Sequence, residues 1–215
     1  LNMDEDTIII DQRTRNEKIK NFFIDNKRSL ISLLIVFIII VISFYSYQIY
    51  KDRHREQISN RYNNAIIEYK SNNSLITTKS LKEIIKDKDS TYSPLALYFI
   101  IDNNLIEDKN EVNDLFNILI KKTPLETEIR NLIILKKGLF NADQTNEIEL
   151  LNILNPLINS ESVWKSHALY LLGEFFYSKG EVEKSKDFFE KIILIKNPNP
   201  EIVISAQRRL NRDFS

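Results

Sequence analysis

The side chains best suited to catalysis or metal binding are few in this sequence. It has two histidines, His54 and His167, which lie far apart in the chain, and it has no cysteine. A zinc site needs three or four ligands, and two distant histidines have no cysteine to complete such a set. We therefore expect both histidines to be ordinary surface residues, and we expect no metal, no cofactor and no catalytic residues.

The three glycines do not suggest a nucleotide site either. Gly138, Gly173 and Gly180 are too far apart to form a loop that cradles a phosphate, and no nucleophile elbow is present. The scattered Asp and Glu residues are typical of solvated helix faces. These patterns favour a protein that is not an enzyme and that takes no small-molecule substrate.

The charge balance excludes another class of function. Lys and Arg together number 30, and Asp and Glu together also number 30. A chain with no excess of one charge has no long-range field to collect nucleic acid. We therefore predict no nucleic-acid partner.

The strongest pattern in the chain is the uncharged run from Ser29 to Tyr50. Its 22 residues would span roughly 33 Å as a helix, which matches a hydrocarbon core of about 30 Å. Twelve of the 13 residues from Leu30 to Ile42 are Ile, Leu, Val or Phe, and together they favour insertion by roughly 5 kcal/mol. The run predicts one transmembrane helix, with the tyrosines near its end either at the headgroups or against another membrane helix.

The same run could be a cleaved signal peptide, but its length and end argue against this. A signal peptide has an apolar region of about 7–15 residues that ends in small residues, whereas this run is longer and ends in aromatic ones. Basic residues close to the run number six before it and five after it, so charge alone does not set the orientation. We predict a cytoplasmic tail (1–28), a transmembrane helix (29–50) and an exported domain (51–215).

The rest of the chain is predicted to be helical. Apolar residues at spacings of three and four continue from Lys51 to Lys70, and polar breaks then separate further helical patterns. Ser93 before Pro94 and Asn199 before Pro200 are predicted N-caps. The further predicted helices are Leu75–Lys86, Pro94–Ile106, Glu111–Lys122, Leu125–Phe140, Asn146–Ile158, Ser162–Lys179, Glu181–Lys196 and Pro200–Arg212.

These helices show a weak internal repeat. Apolar segments that begin at Leu95, Asn131 and Ala168 are spaced 36 and 37 residues apart, and each is followed by a second apolar helix. A period near 36 made of two helices indicates a tetratricopeptide-type array. The fold class is therefore all-α: one transmembrane helix followed by an α-solenoid of degenerate tetratricopeptide-type pairs. Residues 199–210 would form a C-terminal capping helix.

The last pair matches the tetratricopeptide pattern best. Gly173 and Ser185 are small where the two helices should approach most closely, and Gly180 suits the turn. In the preceding pair, Lys136 stands at the position of Gly173. The residues assigned to packing within the last pair are Leu169, Leu172, Gly173, Phe176, Gly180, Ser185 and Phe189.

In such arrays the first helix of each pair lines a concave groove, which predicts a protein-binding face. Tyr and Arg favour protein contacts because each combines a large buried area with a polar group. Ile133 and Phe140 fall on the same predicted face, but they could equally be core residues of an irregular pair. The predicted partner-binding residues are His167, Tyr170, Glu174, Tyr177, Arg130 and Lys137.

The order of these features resembles the YfgM-like family, an ancillary subunit of the SecYEG translocon. The resemblance covers nearly the full length and is carried by short segments: Lys20-Asn-Phe-Phe23, Tyr62-Asn-Asn-Ala65, Ser90 to Ala96, and Leu171 to Glu181. It implies a bacterial inner-membrane protein with a cytoplasmic N-terminus and a periplasmic repeat domain. It also implies association with the translocon and with a membrane-anchored periplasmic chaperone. A cell-envelope assembly or regulatory factor with the same fold and a different partner is the alternative.

Overall fold

A computed structural model describes residues 20–22 and 24–214, and this part of the chain is helical with no β-strand. The chain divides into two compact units whose boundary lies between Glu56 and Gln57. From residue 27 onward the helices are α1 (Lys27–Lys70), α2 (Ser74–Lys86), α3 (Tyr92–Asp102), α4 (Lys109–Lys122), α5 (Thr127–Asn141), α6 (Glu147–Ile158), α7 (Lys165–Ser178), α8 (Val182–Ile193) and α9 (Pro200–Asp213). The prediction of an all-helical chain with a long apolar helix near its N-terminus is confirmed.

Helix α1 changes character along its length. Its first half contains a window long and apolar enough to cross a membrane, and no residue of that window is buried by the protein. Its second half carries the two buried residues of the helix, Ile58 and Ala65. The first half is therefore a candidate membrane-spanning segment, while Ile58 and Ala65 of the second half join a protein core.

Of the two N-caps predicted from the sequence, the structure confirms one and contradicts the other. The Asn199 side chain accepts hydrogen bonds from the backbone N–H groups of Glu201 and Ile202, at 3.0 and 3.2 Å, so the predicted N-cap of α9 is confirmed. The predicted N-cap at Ser93 is wrong, because α3 begins at Tyr92 and the Ser93 hydroxyl is buried. It donates to the carbonyl of Ile84 at 2.7 Å and so ties α3 to α2.

The end of α3 also differs from the prediction. The helix was expected to reach Ile106, but it ends at Asp102 because Asn104 takes a left-handed conformation with φ of 50°. Asn is one of the few residues other than Gly that adopts this conformation at modest cost, and it commonly ends a helix. The apolar residues Leu105 and Ile106 then pack against the core from the loop.

From α2 to α9 each helix packs against the next one in the chain. In addition, α2 packs on α4, α5 packs on α7, and α7 packs on α9. Three connected clusters of apolar side chains fill the spaces between these helices, and α5 contributes to two of them through Ile133 and Ile134. The domain is therefore a series of helices whose core runs on from one pair to the next.

The crossing of α7 and α8 is a very close helix contact. A Cβ added to Gly173 would lie 2.7 Å from Cε1 of Phe189, a distance that real Cβ atoms essentially never show. The buried Ser185 hydroxyl donates to the carbonyl of Gly173 at 2.8 Å. Leu169, Leu172, Phe176 and Phe189 are buried around the crossing, and Gly180 turns the chain with φ of 76°.

An equivalent crossing joins α5 to α6. A Cβ on Gly138 would lie 2.6 Å from Cδ2 of Leu154, so Gly138 occupies the place in α5 that Gly173 occupies in α7. The assignment of this place to Lys136 is therefore wrong by two residues. The spacing between the two pairs is 35 residues here, not the 37 that the alignment of apolar segments suggested.

Candidate functional site

A recess in the domain lies between α3 and α5 and forms a cleft. It has a volume of about 580 Å³, within the range of about 300–1,000 Å³ that is usual for ligand sites. Its walls are mostly apolar, and two of their side chains, Leu95 and Ile129, remain 40% exposed to solvent. The residues that line it are Ser90, Thr91, Pro94, Leu95, Tyr98, Pro124, Glu126, Ile129 and Leu132.

A second cavity of about 280 Å³ lies further along the same two helices. Tyr98 lines both cavities, so the two adjoin at its ring. The second cavity is lined by Tyr98, Ile101, Asp102, Lys136, Leu139 and Phe140. We refer to the two cavities together as the α3/α5 cleft.

Tyr98 is the most unusual polar group of the α3/α5 cleft. Its hydroxyl oxygen is buried and makes no hydrogen bond to a described residue. Burial raises the pKa of Tyr98 to about 12, so the phenol is neutral and able to donate at any physiological pH. Lys136 lies over the ring, with its Nζ atom 4.5 Å from the ring centroid.

The predicted partner-binding residues of α7 face the last helix of the chain. Arg209 of α9 donates from Nη2 to Oε2 of Glu174 at 3.0 Å, and its guanidinium lies 4.2 Å from the ring centroid of Tyr177. Tyr170 meets Phe189 edge to face, with ring centroids 5.4 Å apart. Burial, then the charge of Glu174 and a hydrogen bond to it, raise the pKa of Tyr170.

A charged recess of about 340 Å³ opens beside this contact, between α7 and α9. It is lined by Tyr170, Glu174, Ser205, Arg208, Arg209 and Arg212. Two of its arginines are held by one carboxylate, since both Arg209 and Arg212 pair with Asp213. We refer to these residues and Tyr177 as the α7/α9 junction.

His167 precedes these residues on α7 and packs beside the indole of Trp164, with ring centroids 5.3 Å apart. Its Nδ1 atom is buried without a hydrogen-bond partner among the described residues, and burial lowers the pKa of His167. Burial therefore favours the neutral form of the ring. His54 lies on α1 and stacks against Tyr50, and no group of three or more metal-ligating side chains occurs in residues 20–22 and 24–214.

The predicted partner-binding residues of α5, Arg130 and Lys137, do not line the α3/α5 cleft. Lys137 donates from Nζ to Oδ1 of Asn117 on α4 at 3.0 Å, and burial followed by the charge of Lys121 lowers its pKa. Arg130 donates from Nη2 to the carbonyl of Leu125 at 3.1 Å, in the loop before its own helix.

The remaining two residues of that predicted face belong to the core. Ile133 is fully buried, and the ring of Phe140 packs on Phe116 with centroids 5.9 Å apart. Phe140 also lines the second cavity, and the other side chains of α5 that line the cleft are Ile129, Leu132, Lys136 and Leu139, each one position before a predicted residue. Neighbouring residues of a helix are rotated by about 100° around its axis. A shift of one residue is therefore enough to exchange the side chains that line the groove for side chains beside it.

The start of α5 is held by the loop before α7. Trp164 donates from Nε1 to the carbonyl of Glu128 at 3.1 Å, and the Ser162 hydroxyl donates to Oε2 of Glu128 at 2.7 Å. Ile129, on the wall of the cleft, follows Glu128 directly. Two hydrogen bonds to Glu128 therefore hold the start of α5, which supplies one wall of the cleft.

No family model, no curated protein and no solved structure matches this chain.

Proposed function

We propose that this chain is a non-catalytic, protein-binding scaffold anchored in the bacterial inner membrane by α1. The tail before α1 would lie in the cytoplasm and the helical domain in the periplasm. The observation that carries the proposal is the α3/α5 cleft, a recess in which the apolar side chains of Leu95, Ile129 and Leu139 line the walls and remain 40%, 40% and 53% exposed. Exposed apolar surface of this kind marks interaction sites in proteins.

The helices from α3 to α8 would form three tetratricopeptide-type pairs, with α9 as the capping helix. Two observations support this arrangement. Gly138 and Gly173 each lie where a first helix crosses its second helix too closely for a side chain. The ion pairs of Arg209 and the ring of Phe214 also cover the last pair, as a capping element should.

The partners we propose are the SecYEG translocon and a membrane-anchored periplasmic chaperone. The support for these partners is the order of features in the sequence, from the charged tail through the apolar run to the degenerate helix pairs. A protein that links a membrane channel to soluble factors needs both an anchor and a binding domain. This chain offers a helix suited to the first task and a cleft suited to the second.

Co-purification from the native host tests the proposal. The full chain, tagged at its C-terminus, would be extracted in mild detergent, and the bound proteins would be identified by mass spectrometry. We expect translocon subunits with the unchanged protein and at least fivefold less recovery with Leu95→Gln plus Ile129→Gln. Leu75→Gln is the matched control, because Leu75 is 86% exposed on α2 and does not line the cleft.

Absence of every translocon subunit from the unchanged protein would refute the proposed partner. Recovery of other envelope proteins in their place would favour an assembly or regulatory factor. Extraction of the chain from membranes by alkaline carbonate would refute the anchor, and cleavage of the domain by protease added to spheroplasts would support its periplasmic location.

A further inference from the structure

The α3/α5 cleft has a shape that suits a chain segment better than a compact ligand. Its two cavities adjoin at Tyr98 and follow the same two helices, so they form one trough. Helix α3 has 11 residues, which at 1.5 Å per residue gives the trough a length of about 16 Å. Apolar side chains occur along its whole length, from Leu95 and Ile129 in the first cavity to Leu139, which is 53% exposed, in the second.

Each cavity carries one carboxylate. Glu126 lines the first cavity, at the start of α5, and Asp102 lines the second, at the last residue of α3. Both side chains are exposed, and neither has an ion-pair partner in the described part of the chain. The two negative charges of the trough are therefore open to a ligand and lie near its opposite ends.

The middle of the trough carries the opposite charge. Lys136 lines the second cavity and places its Nζ atom 4.5 Å from the ring centroid of Tyr98, the residue that lines both cavities. A positive charge on a ligand would be repelled at this point and attracted at either end. The charges thus favour a ligand whose own positive groups lie apart, on both sides of an apolar centre.

From these observations we infer that the α3/α5 cleft takes an apolar polypeptide segment that carries a basic residue at each end. This inference rests on the proposed function, whose binding site it uses, and adds the chemistry of the partner. An extended segment rises about 3.3 Å per residue, so about five residues separate the basic ends. The apolar centre would cover Leu95, Ile129 and Leu139, and the basic ends would approach Glu126 and Asp102.

Peptide binding to the full chain in lipid nanodiscs tests the inference. Three fluorescein-labelled peptides would be compared by anisotropy: five apolar residues between two lysines, the same five between two glutamates, and five serines between two lysines. At low salt we expect the first to bind about fivefold more tightly than the second, as two exposed ion pairs would give. The serine peptide should show no measurable binding.

Two sets of variants locate the effect. Asp102→Asn plus Glu126→Gln should abolish the preference for lysine ends and leave binding of the glutamate peptide unchanged or stronger. Leu95→Gln plus Ile129→Gln should weaken all binding by at least tenfold, while Leu75→Gln should leave it unchanged. Circular dichroism would verify that each variant keeps its helix content.

The outcomes separate this inference from the proposed function. Equal affinity for the lysine and glutamate peptides would overturn the inference that the segment has basic ends. A preference for lysine that survives Asp102→Asn plus Glu126→Gln would also overturn it. Failure of every peptide to bind, in a chain that still recovers translocon subunits, would overturn the inference and leave the scaffold role intact. Lysine-selective binding by a chain that recovers no translocon subunit would support the inference and refute only the proposed partner.

Discussion

The α3/α5 cleft and the α7/α9 junction are built from the same kinds of side chain. In each, a tyrosine on the first helix is followed four residues later by a carboxylate: Tyr98 and Asp102 on α3, Tyr170 and Glu174 on α7. Each also receives a cation from the helix opposite. At the α7/α9 junction the cation pairs with the carboxylate, whereas at the α3/α5 cleft it does not.

The identity of the cation explains much of this difference. Arg209 has a planar fork of donors, which lets it bind Glu174 and Asp213 while its face stacks on Tyr177. Lys136 is a single point of charge, and its position over Tyr98 leaves Asp102 without an ion pair. One junction is therefore closed by its own residues, and the other keeps apolar walls and a carboxylate exposed to solvent.

The largest expected effect comes from removing the ring of Phe189 on α8, which packs against Tyr170 of the α7/α9 junction. Phe189→Ala should lower the free energy of unfolding by about 3–5 kcal/mol, because Phe189 is fully buried against Gly173, Tyr170 and Phe214. Leu139→Ala at the α3/α5 cleft should cost less than about 1 kcal/mol, because its side chain is half exposed. Urea denaturation of both variants measures the contrast, and equal losses would contradict it.

Arg209→Met tests whether the ion pairs close the junction. The side chain of Arg209 is only 12% exposed, and its loss leaves Glu174 without an ion pair and Asp213 with Arg212 alone. We expect a loss of about 2 kcal/mol, between the values for exposed and buried pairs. Lys136→Met is the matched change at the cleft and should cost about 0.5 kcal/mol or less, since only a cation–π contact is lost. Thermal unfolding would show which junction depends on its cation.

The same substitution should have opposite effects at the two tyrosines. Tyr98→Phe removes a buried hydroxyl that has no partner, so stability should rise by about 1 kcal/mol. Tyr170→Phe removes a hydrogen bond to Glu174, so stability should fall by about 1 kcal/mol. Changes of the same sign in the two urea titrations would show that the junctions do not differ in this way.

The smallest expected effect is the response to acid. Hydrogen bonding to Arg212 lowers the pKa of Asp213 below its ordinary value. A carboxylate with a lowered folded-state pKa stabilises the fold above its unfolded value of about 3.9, and this contribution is lost as pH falls through the folded value. The melting temperature should therefore fall less steeply below pH 4 in Asp213→Asn than in the unchanged chain. Asp187→Asn is the control, because Asp187 forms no described ion pair.

Local signals predicted much of the fold. The apolar run predicted the first half of α1, and Asn199 before Pro200 located the start of α9, because each depends on a few neighbouring residues. The same signal failed at Ser93, whose hydroxyl bonds to the carbonyl of Ile84 on another helix. A long-range partner of this kind leaves no trace in the local sequence.

The cleft was harder to predict than the fold because it depends on helix rotation. A spacing of 36 or 37 residues located the repeated helices, but it placed Lys136 where Gly138 lies. Because of this error, the side chains predicted to line the groove were taken from the wrong side of α5. Two signals could have corrected it. The first is that Gly138 lies 35 residues before Gly173, which gives the spacing of the two glycines at the helix crossings. The second is that Tyr98 and Asp102 on α3 have the same spacing of four residues as Tyr170 and Glu174 on α7.

The bond between Trp164 and Glu128 gives the molecule a native optical reporter. Trp164 is the single tryptophan of the chain, and its indole N–H is fixed to the residue just before Ile129 on the cleft wall. Displacement of α5 by an occupant would alter the polarity around this indole and shift its emission wavelength. Entry of a segment into the cleft could thus be followed in real time with no dye attached.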